Sequence, residues 1–292
     1  MENRIGYKST AFSSTLQINC RSGVLKIDHP LVMGVLNLTP DSFYDGGYYE
    51  GIPNVLHRVG QMLEQGADII DLGALSTRPG AAEVTAQEEE RRLMPALKQI
   101  RQSFPEAILS VDTYRSVVAR KAIDLGADMI NDISAGRFDP GLLSVLSHEK
   151  VPYVMMHMQG TPVTMQDRPV YQDVTREVQE YFTERIAAVE GQGIREIIID
   201  PGFGFGKTVE HNFELLSHLE RFLIFGRPVM VGLSRKSMIN KVLHTRPSEA
   251  LNGTTVLNTI AILKGAHILR VHDVREAVEA VALCREFVAS GG

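Results

Sequence analysis

Gly66-Ala67-Asp68-Ile69-Ile70 runs directly into Asp71, and the pattern returns twice. Gly126-Ala127-Asp128-Met129-Ile130 precedes Asn131 and Asp132, and Gly265-Ala266-His267-Ile268-Leu269 precedes Arg270. Gly193-Ile194-Arg195-Glu196-Ile197 is a looser version. Glycine tolerates the positive φ that stops a helix, so each stretch reads as a helix stop followed at once by a strand. Upstream of the first, Val55, Val59, Met62 and Leu63 recur at three and four residues, the spacing of one helix face.

Eight short apolar runs end on polar residues. The endings are Asn37; Asp71; Asp112; Asn131 with Asp132; His157; Asp200; Ser234 with Arg235 and Lys236; and Arg270 with His272 and Asp273. Strand candidates fall near 31–36, 68–72, 107–112, 128–132, 152–157, 196–200, 228–233 and 267–271. Helices fit near 53–65, 86–103, 114–125, 140–148, 172–191, 209–221, 248–264 and 274–289. Strands alternating with helices imply right-handed βαβ units and a parallel sheet. Eight units point to an α/β chain closed into a single (β/α)8 TIM barrel, whose active face lies at the C-terminal strand ends. An open doubly wound sheet is the structural alternative. Residues 16–28 alternate around Ser22-Gly23 as a hairpin would, expected to cover the barrel bottom. The expected organisation is a tail over residues 1–15 and one domain over 16–292.

Composition agrees with that frame. The chain has 292 residues, and one barrel of this kind occupies roughly 250. It is 44% hydrophobic and 22% charged, with a net charge of -5. The charge argues against a nucleic-acid surface but leaves room for a local basic pocket. No apolar run reaches the roughly 18 residues that span a membrane, and the N-terminus has no apolar signal core. Cys20 and Cys284 read as reduced thiols, so a cytoplasmic setting is expected.

Three connections follow strands and so belong to the active face: residues 37–52, 73–86 and 158–171. Loops this long in a compact domain are more often functional than not. Asp200-Pro-Gly-Phe-Gly-Phe-Gly-Lys207-Thr208 resembles a phosphate loop at first glance, but Pro201 stands where that pattern needs glycine, and the dinucleotide spacing is absent. It reads instead as a carboxylate at a strand end, followed by backbone that can approach a flat ligand. Phe203 and Phe205 either pack the loop or line the ligand.

Asp112, Asn131 and Asp200 suit a nitrogen heterocycle with a donor-rich edge, because carboxylates accept paired N–H bonds and an amide does both. Helix capping competes for Asp112. Arg78, Arg270, His272 and Lys236 form a cationic set, which suggests a phosphate or diphosphate site. Asn37 is a hard oxygen ligand that, with a phosphate, suits Mg2+. No zinc-site spacing of His and Cys is present. Lys236 fits either a Schiff base or a point-charge donor to a ligand.

These segments, taken together, resemble the dihydropteroate synthase family, pterin-binding barrels that sulfonamides inhibit. The matching stretches are Met33-Gly-Val-Leu-Asn-Leu-Thr-Pro-Asp-Ser-Phe43, Ser76-Thr-Arg-Pro-Gly80, Ser110-Val-Asp-Thr113, Ile130-Asn-Asp-Ile133, Met156-His-Met-Gln-Gly160, Asp200 through Lys207, Gly232-Leu-Ser-Arg-Lys-Ser237 and Arg270-Val-His-Asp273. The resemblance implies a transferase that joins 6-hydroxymethyl-7,8-dihydropterin diphosphate to 4-aminobenzoate, releasing pyrophosphate. It implies that Asp112, Asn131, Asp200 and Lys236 hold the pterin beside Ile133, Met156 and Phe205, with Arg270 stacked on the ring and facing the diphosphate. Asn37, Thr77, Arg78, Arg270 and His272 would take the diphosphate, with Mg2+ at Asn37. Thr77, Pro79, Phe205, Lys236 and Ser237 would line the 4-aminobenzoate pocket. The catalytic set would be Asn37, Thr77, Arg78, Lys236, Arg270 and His272. Homodimerisation through outer helices is also implied, and no fused pyrophosphokinase domain is expected. One departure is visible: many members carry Gly-Glu before the Ser-Thr-Arg-Pro-Gly loop, whereas this chain has Gly73-Ala74-Leu75. Rival readings are a methyltetrahydrofolate-binding module, a Schiff-base lyase using Lys236, and a pterin-binding protein without catalysis.

Overall fold

The computed structural model describes residues 16–38, 51–75 and 84–291. Its first elements are β1 (Leu16–Cys20) and β2 (Gly23–Ile27), an antiparallel pair joined at Arg21-Ser22. Eight parallel strands follow: β3 (Leu31–Asn37), β4 (Ile69–Gly73), β5 (Ile108–Asp112), β6 (Met129–Asp132), β7 (Tyr153–Met156), β8 (Ile197–Asp200), β9 (Met230–Val231) and β10 (Ile268–Val271). Their order is β8-β7-β6-β5-β4-β3-β10-β9. A parallel bridge between Ile199 and Val229 joins the two ends of that row, and the Ile199 N–H donates to the Pro228 carbonyl at 3.0 Å. The sheet is therefore a ring, and the open-sheet alternative is excluded.

Helices α1 (Gly51–Glu64), α2 (Ala86–Ser103), α3 (Ser116–Asp124), α4 (Gly141–Glu149), α5 (Val174–Gly191) and α6 (Val209–Ser217) alternate with the strands, as do α7 (Ser237–Leu243), α8 (Leu251–Leu263) and α9 (Val274–Ala289). Local chemistry starts several of them. Thr85 accepts from the Glu88 N–H, Asp173 from that of Arg176 and Thr208 from that of His211.

Three elements differ from expectation. The helix expected over 209–221 stops at Ser217, and a 3-10 segment, Leu219–Phe225, completes it. The seven residues of α7 are too few to show periodicity in the sequence. The strand expected over 228–233 shrinks to Met230–Val231, because Pro228 has no N–H to give and the chain leaves the sheet at Gly232 for a turn at Ser234-Arg235.

Alternation along the strands sorts side chains into two compartments. Alternate members such as Val32, Leu36, Ile70, Leu109, Ile130, Met155 and Ile199 join the large core between barrel and helices. The others fill the barrel in tiers. The floor is Met33, Ile69, Ile108, Met129, Val154, Ile198, Met230 and Ile268, sealed from below by Ile18, Leu25 and Ile27 of the hairpin. The hairpin tip is fastened as well: Ser22 donates its N–H to Asp128 Oδ1 at 2.9 Å, and Asn19 Nδ2 donates to Glu196 at 2.6 Å. The hairpin thus occupies the N-terminal end of the barrel, where the sequence places it.

This geometry separates stability from chemistry. Ile18 is 2% exposed inside the floor, so Ile18→Ala should cost about 3 kcal/mol in urea unfolding. Turnover at the far end of the barrel should be unaffected. A parallel loss of kcat would show that the floor is coupled to the active face.

Candidate functional site

Two residues above each floor residue lies the next inward position. These are Val35, Asp71, Ser110, Asn131, Met156, Asp200, Gly232 and Arg270. Five of the eight are polar or charged, and they meet side by side in the upper barrel. Two residues higher, Asn37, Gly73, Asp112, Ile133, Ser234 and His272 form the rim on the same face.

Arg270 is the centre of this layer. Its Nε and Nη2 donate to Asp71 Oδ2 at 2.7 Å, and Nη2 also reaches Asp112 Oδ2 at 2.9 Å. Asn131 Nδ2 donates to the same Asp71 oxygen at 3.2 Å. Burial alone would discourage the Arg270 charge, but Asp71 and Asp112 outweigh it and hold the guanidinium above its ordinary range. Burial raises Asp112 to about 7, against the opposing pull of Arg270. Burial also raises Asp200, partly offset by Lys236 and by the Gly202 N–H that donates to Asp200 Oδ1 at 2.8 Å.

Lys236 follows β9 and leans across the mouth. Its Nζ donates to the Phe203 carbonyl and lies 4.6 Å from the centre of the Phe205 ring. Burial lowers its amine to about 8, with Asp200 acting the other way. Gly204 makes this crossing possible: a Cβ there would sit 3.1 Å from Lys236 Cδ. Ile133, Met156 and Phe205 fall in one apolar cluster with Met158, Met165, Tyr114 and Phe138. The rim His272 pairs its Nδ1 with Ser234 Oγ at 3.0 Å. Ser237 is exposed at the start of α7. Thr77, Arg78 and Pro79 lie outside the described residues, as do the middles of the first two long loops.

Asn37 Oδ1 and Asp112 Oδ2 flank Gly73, 3.8 and 3.7 Å from where its Cβ would stand. The donors there are hard oxygens, the set that Mg2+ accepts when substrate phosphates and water complete its shell. Among the described residues no group of three or more His, Cys, Asp or Glu gathers to hold a metal.

Three strand endings take roles that the sequence does not show. Asp71 is fully buried and joins the polar layer. Asp132 is one residue off the inward register and faces outward. There it accepts from Tyr153 Oη at 2.7 Å and from the N–H groups of Ser134 and Gly136. His157 is likewise off register and packs edge-on to Tyr181 at 4.8 Å. Its Nδ1 meets Lys207 Nζ at 2.9 Å, and burial, then Lys207 and Arg137, hold its pKa well below the usual histidine range.

Lys207 itself is the missed residue. It is 3% exposed, and besides His157 it reaches the carbonyls of Gly202 at 2.9 Å and Phe205 at 3.2 Å. It therefore clips the loop after β8 onto the end of β7. Gly202 permits the close approach, since a Cβ there would lie 1.9 Å from the His157 carbonyl oxygen. A lysine five residues beyond a strand-end Asp-Pro-Gly was the available signal, but its partners come from another strand. Arg235, by contrast, turns away and pairs bidentately with Asp273 at 2.6 and 2.9 Å.

A parallel barrel with carboxylates, an amide and enclosed cations at its C-terminal mouth defines an enzyme site for a small heterocycle carrying an anion. Residues 33–272 match the family model described as "Pterin binding enzyme". The dihydropteroate synthase of Escherichia coli is 48% identical over 259 residues, covering 88% of this chain and 91% of that protein. A crystal structure of the Yersinia pestis dihydropteroate synthase with a sulfonamide drug complex is 40% identical, with a TM-score of 0.88, covering 94% of this chain and 100% of that one. The Xanthomonas albilineans dihydropteroate synthase in complex with 7,8-dihydropteroate is 38% identical, with a TM-score of 0.85, covering 94% and 99%. The chain belongs to the pterin binding enzyme family.

The Lys207 clip has a thermodynamic signature. Burial lowers its amine to about 7, whereas in the unfolded chain it keeps its proton to about 10.4. The fold therefore binds fewer protons across that interval, and this lysine makes stability rise with pH there. The stability difference between the wild type and Lys207→Met, from urea unfolding at pH 7, 8 and 9, should grow with pH. Parallel profiles would count against the shift.

Proposed function

We propose that this chain is a dihydropteroate synthase, condensing 6-hydroxymethyl-7,8-dihydropterin diphosphate with 4-aminobenzoate to give 7,8-dihydropteroate and pyrophosphate. The observation that carries this reading is the polar network in which Arg270 touches Asp112 on the rim while Asn131 and Arg270 share Asp71 below it. A site of that kind presents acceptors for a heterocycle edge directly beside a cation for a diphosphate. Relatives of the same name at 48% and 44% identity support it.

Asp112, Asn131, Asp200 and Lys236 read the pterin edge, with Ile133, Met156 and Phe205 against its face. Arg270 stacks on the ring and faces the diphosphate, joined there by Asn37, Thr77, Arg78 and His272. Thr77, Pro79, Phe205, Lys236 and Ser237 line the 4-aminobenzoate pocket, and sulfonamides compete for it. Asn37 would hold Mg2+, which when bound would supply charge neutralisation to the leaving diphosphate.

The C–O bond at the pterin methylene breaks before the amine attacks. Asp112 and Asp200 then lie near an electron-poor ring and stabilise the developing positive charge, while Arg270 and His272 receive the pyrophosphate. The aryl amine adds to the methylene carbon and loses its proton to water, so no strong base is needed. Closure of loops 37–52 and 73–86 over the mouth would keep water from taking the amine's place.

Residues 16–292 are read as one domain, acting in the cytoplasm. Among the described residues no helix is long and apolar enough to cross a membrane, and Cys20 and Cys284 are free thiols. A homodimer through α8 and α9 fits the exposed Leu251, Val256, Ile260, Leu263, Leu283 and Phe287 that cluster on their outer faces.

A pyrophosphate-release assay with the pterin diphosphate, with and without 4-aminobenzoate, tests the reaction. Release that never depends on the amine would sink it. Lys236→Ala should weaken pterin binding by about 100-fold while the circular dichroism spectrum stays native; an unfolded variant would argue for a structural lysine. Bridge-to-nonbridge oxygen scrambling in the diphosphate is expected if cleavage comes first. Its absence under reversible conditions would favour concerted displacement.

A further inference from the structure

Asp71 has no substrate edge to read in the reaction above, yet it is the most heavily engaged carboxylate in the site. Its side chain is fully buried. One oxygen, Oδ2, accepts from Arg270 Nε and Nη2 at 2.7 Å and from Asn131 Nδ2 at 3.2 Å. In the ring, β10 lies two strands to one side of β4, and β6 lies two strands to the other. A single oxygen therefore ties together side chains that arrive from opposite directions. One belongs to the proposed anion subsite and the other to the proposed heterocycle subsite.

We propose that Asp71 is a positioning residue, which sets Arg270 and Asn131 relative to each other and keeps Asp112 available to the pterin. The inference rests on the dihydropteroate synthase reading. Its physical basis is competition for the guanidinium. An arginine with one carboxylate in reach draws it into a bidentate pair. Here Asp71 takes Nε and shares Nη2, so Asp112 gives Arg270 only one oxygen, at 2.9 Å. Without the Asp71 charge, Asp112 becomes the one carboxylate left in contact with a buried arginine and is drawn off the heterocycle edge. Asn131 loses its anchor in the same change. A merely structural ion pair would instead fail by loss of stability, with every kinetic constant falling together.

The test is calorimetric binding of 6-hydroxymethylpterin without diphosphate, together with steady-state kinetics. For Asp71→Asn we expect pterin affinity to fall about tenfold and kcat/KM for the pterin diphosphate about 100-fold. The KM for 4-aminobenzoate, measured at saturating pterin diphosphate, should stay at the wild-type value. In an Arg270→Gln background Asp112 has no captor, so adding Asp71→Asn should cost at most about threefold more in pterin affinity. A further loss as large as in the wild-type background overturns the proposal, and so does an Asp71→Asn enzyme with unchanged kinetics. If Asp71→Asn does not fold, the double variant, which removes one charge of each sign, still makes the comparison with Arg270→Gln. A wild-type protein without amine-dependent pyrophosphate release overturns the reaction instead, and the calorimetric pterin affinities, which need no turnover, still decide the positioning role.

Discussion

A guanidinium held between two carboxylates, directly above an apolar floor, is the constraint on which the upper barrel depends. Charges in such a place are stable only when paired and hydrogen-bonded, because the interior offers no water to replace the partners. Arg270 meets Asp71 and Asp112 in this way, and Asn131 completes the Asp71 oxygen. The hairpin matters to this layer although it sits at the other end. By closing the floor with Ile18, Leu25 and Ile27 it denies solvent a route into the barrel from below. The pair is therefore desolvated from beneath and open only toward the mouth, where a charged ligand would arrive.

Electrostatically the site is nearly balanced. Asp71, Asp112 and Asp200 face Arg270, Lys236 and Lys207 in a chain whose net charge is -5. Balance of this kind suits a reaction in which a polyanionic leaving group and a cationic carbon develop together, since neither sign must be supplied by solvent. Burial pulls Lys236 down and Asp112 up, each toward its neutral form and against the pull of its oppositely charged neighbours. The site is thus responsive to a ligand's charge.

The loop after β8 has a separate support. Lys207 gives its protons to two carbonyls of that loop and meets a neutral His157 from the end of β7. This clip fixes the carbonyl of Phe203 that receives Lys236, and the ring of Phe205 beneath it. Precision at the mouth therefore comes from backbone contacts made by a residue that touches no proposed substrate.

Much of this was legible in the residues. The glycine stops, the eight apolar runs and the alternation over 16–28 were enough for the barrel, its hairpin and the inward set Asp112, Asn131, Asp200 and Arg270, because these follow from local periodicity and backbone preference. Closure itself was expected, but its place, at Ile199 and Val229, was not legible, since a two-residue strand carries no period. Nor were the true roles of Asp71, Asp132, His157 and Lys207. A strand ending says that a polar group stands near the mouth, but one residue of register decides whether it faces the ligand or the helices. Its partners come from strands dozens to hundreds of residues away. What the sequence determined alone was which groups would reach the top of the barrel. Only the tertiary structure decided which of them pair, because pairing depends on distances across the ring, and those exist only once the ring has closed.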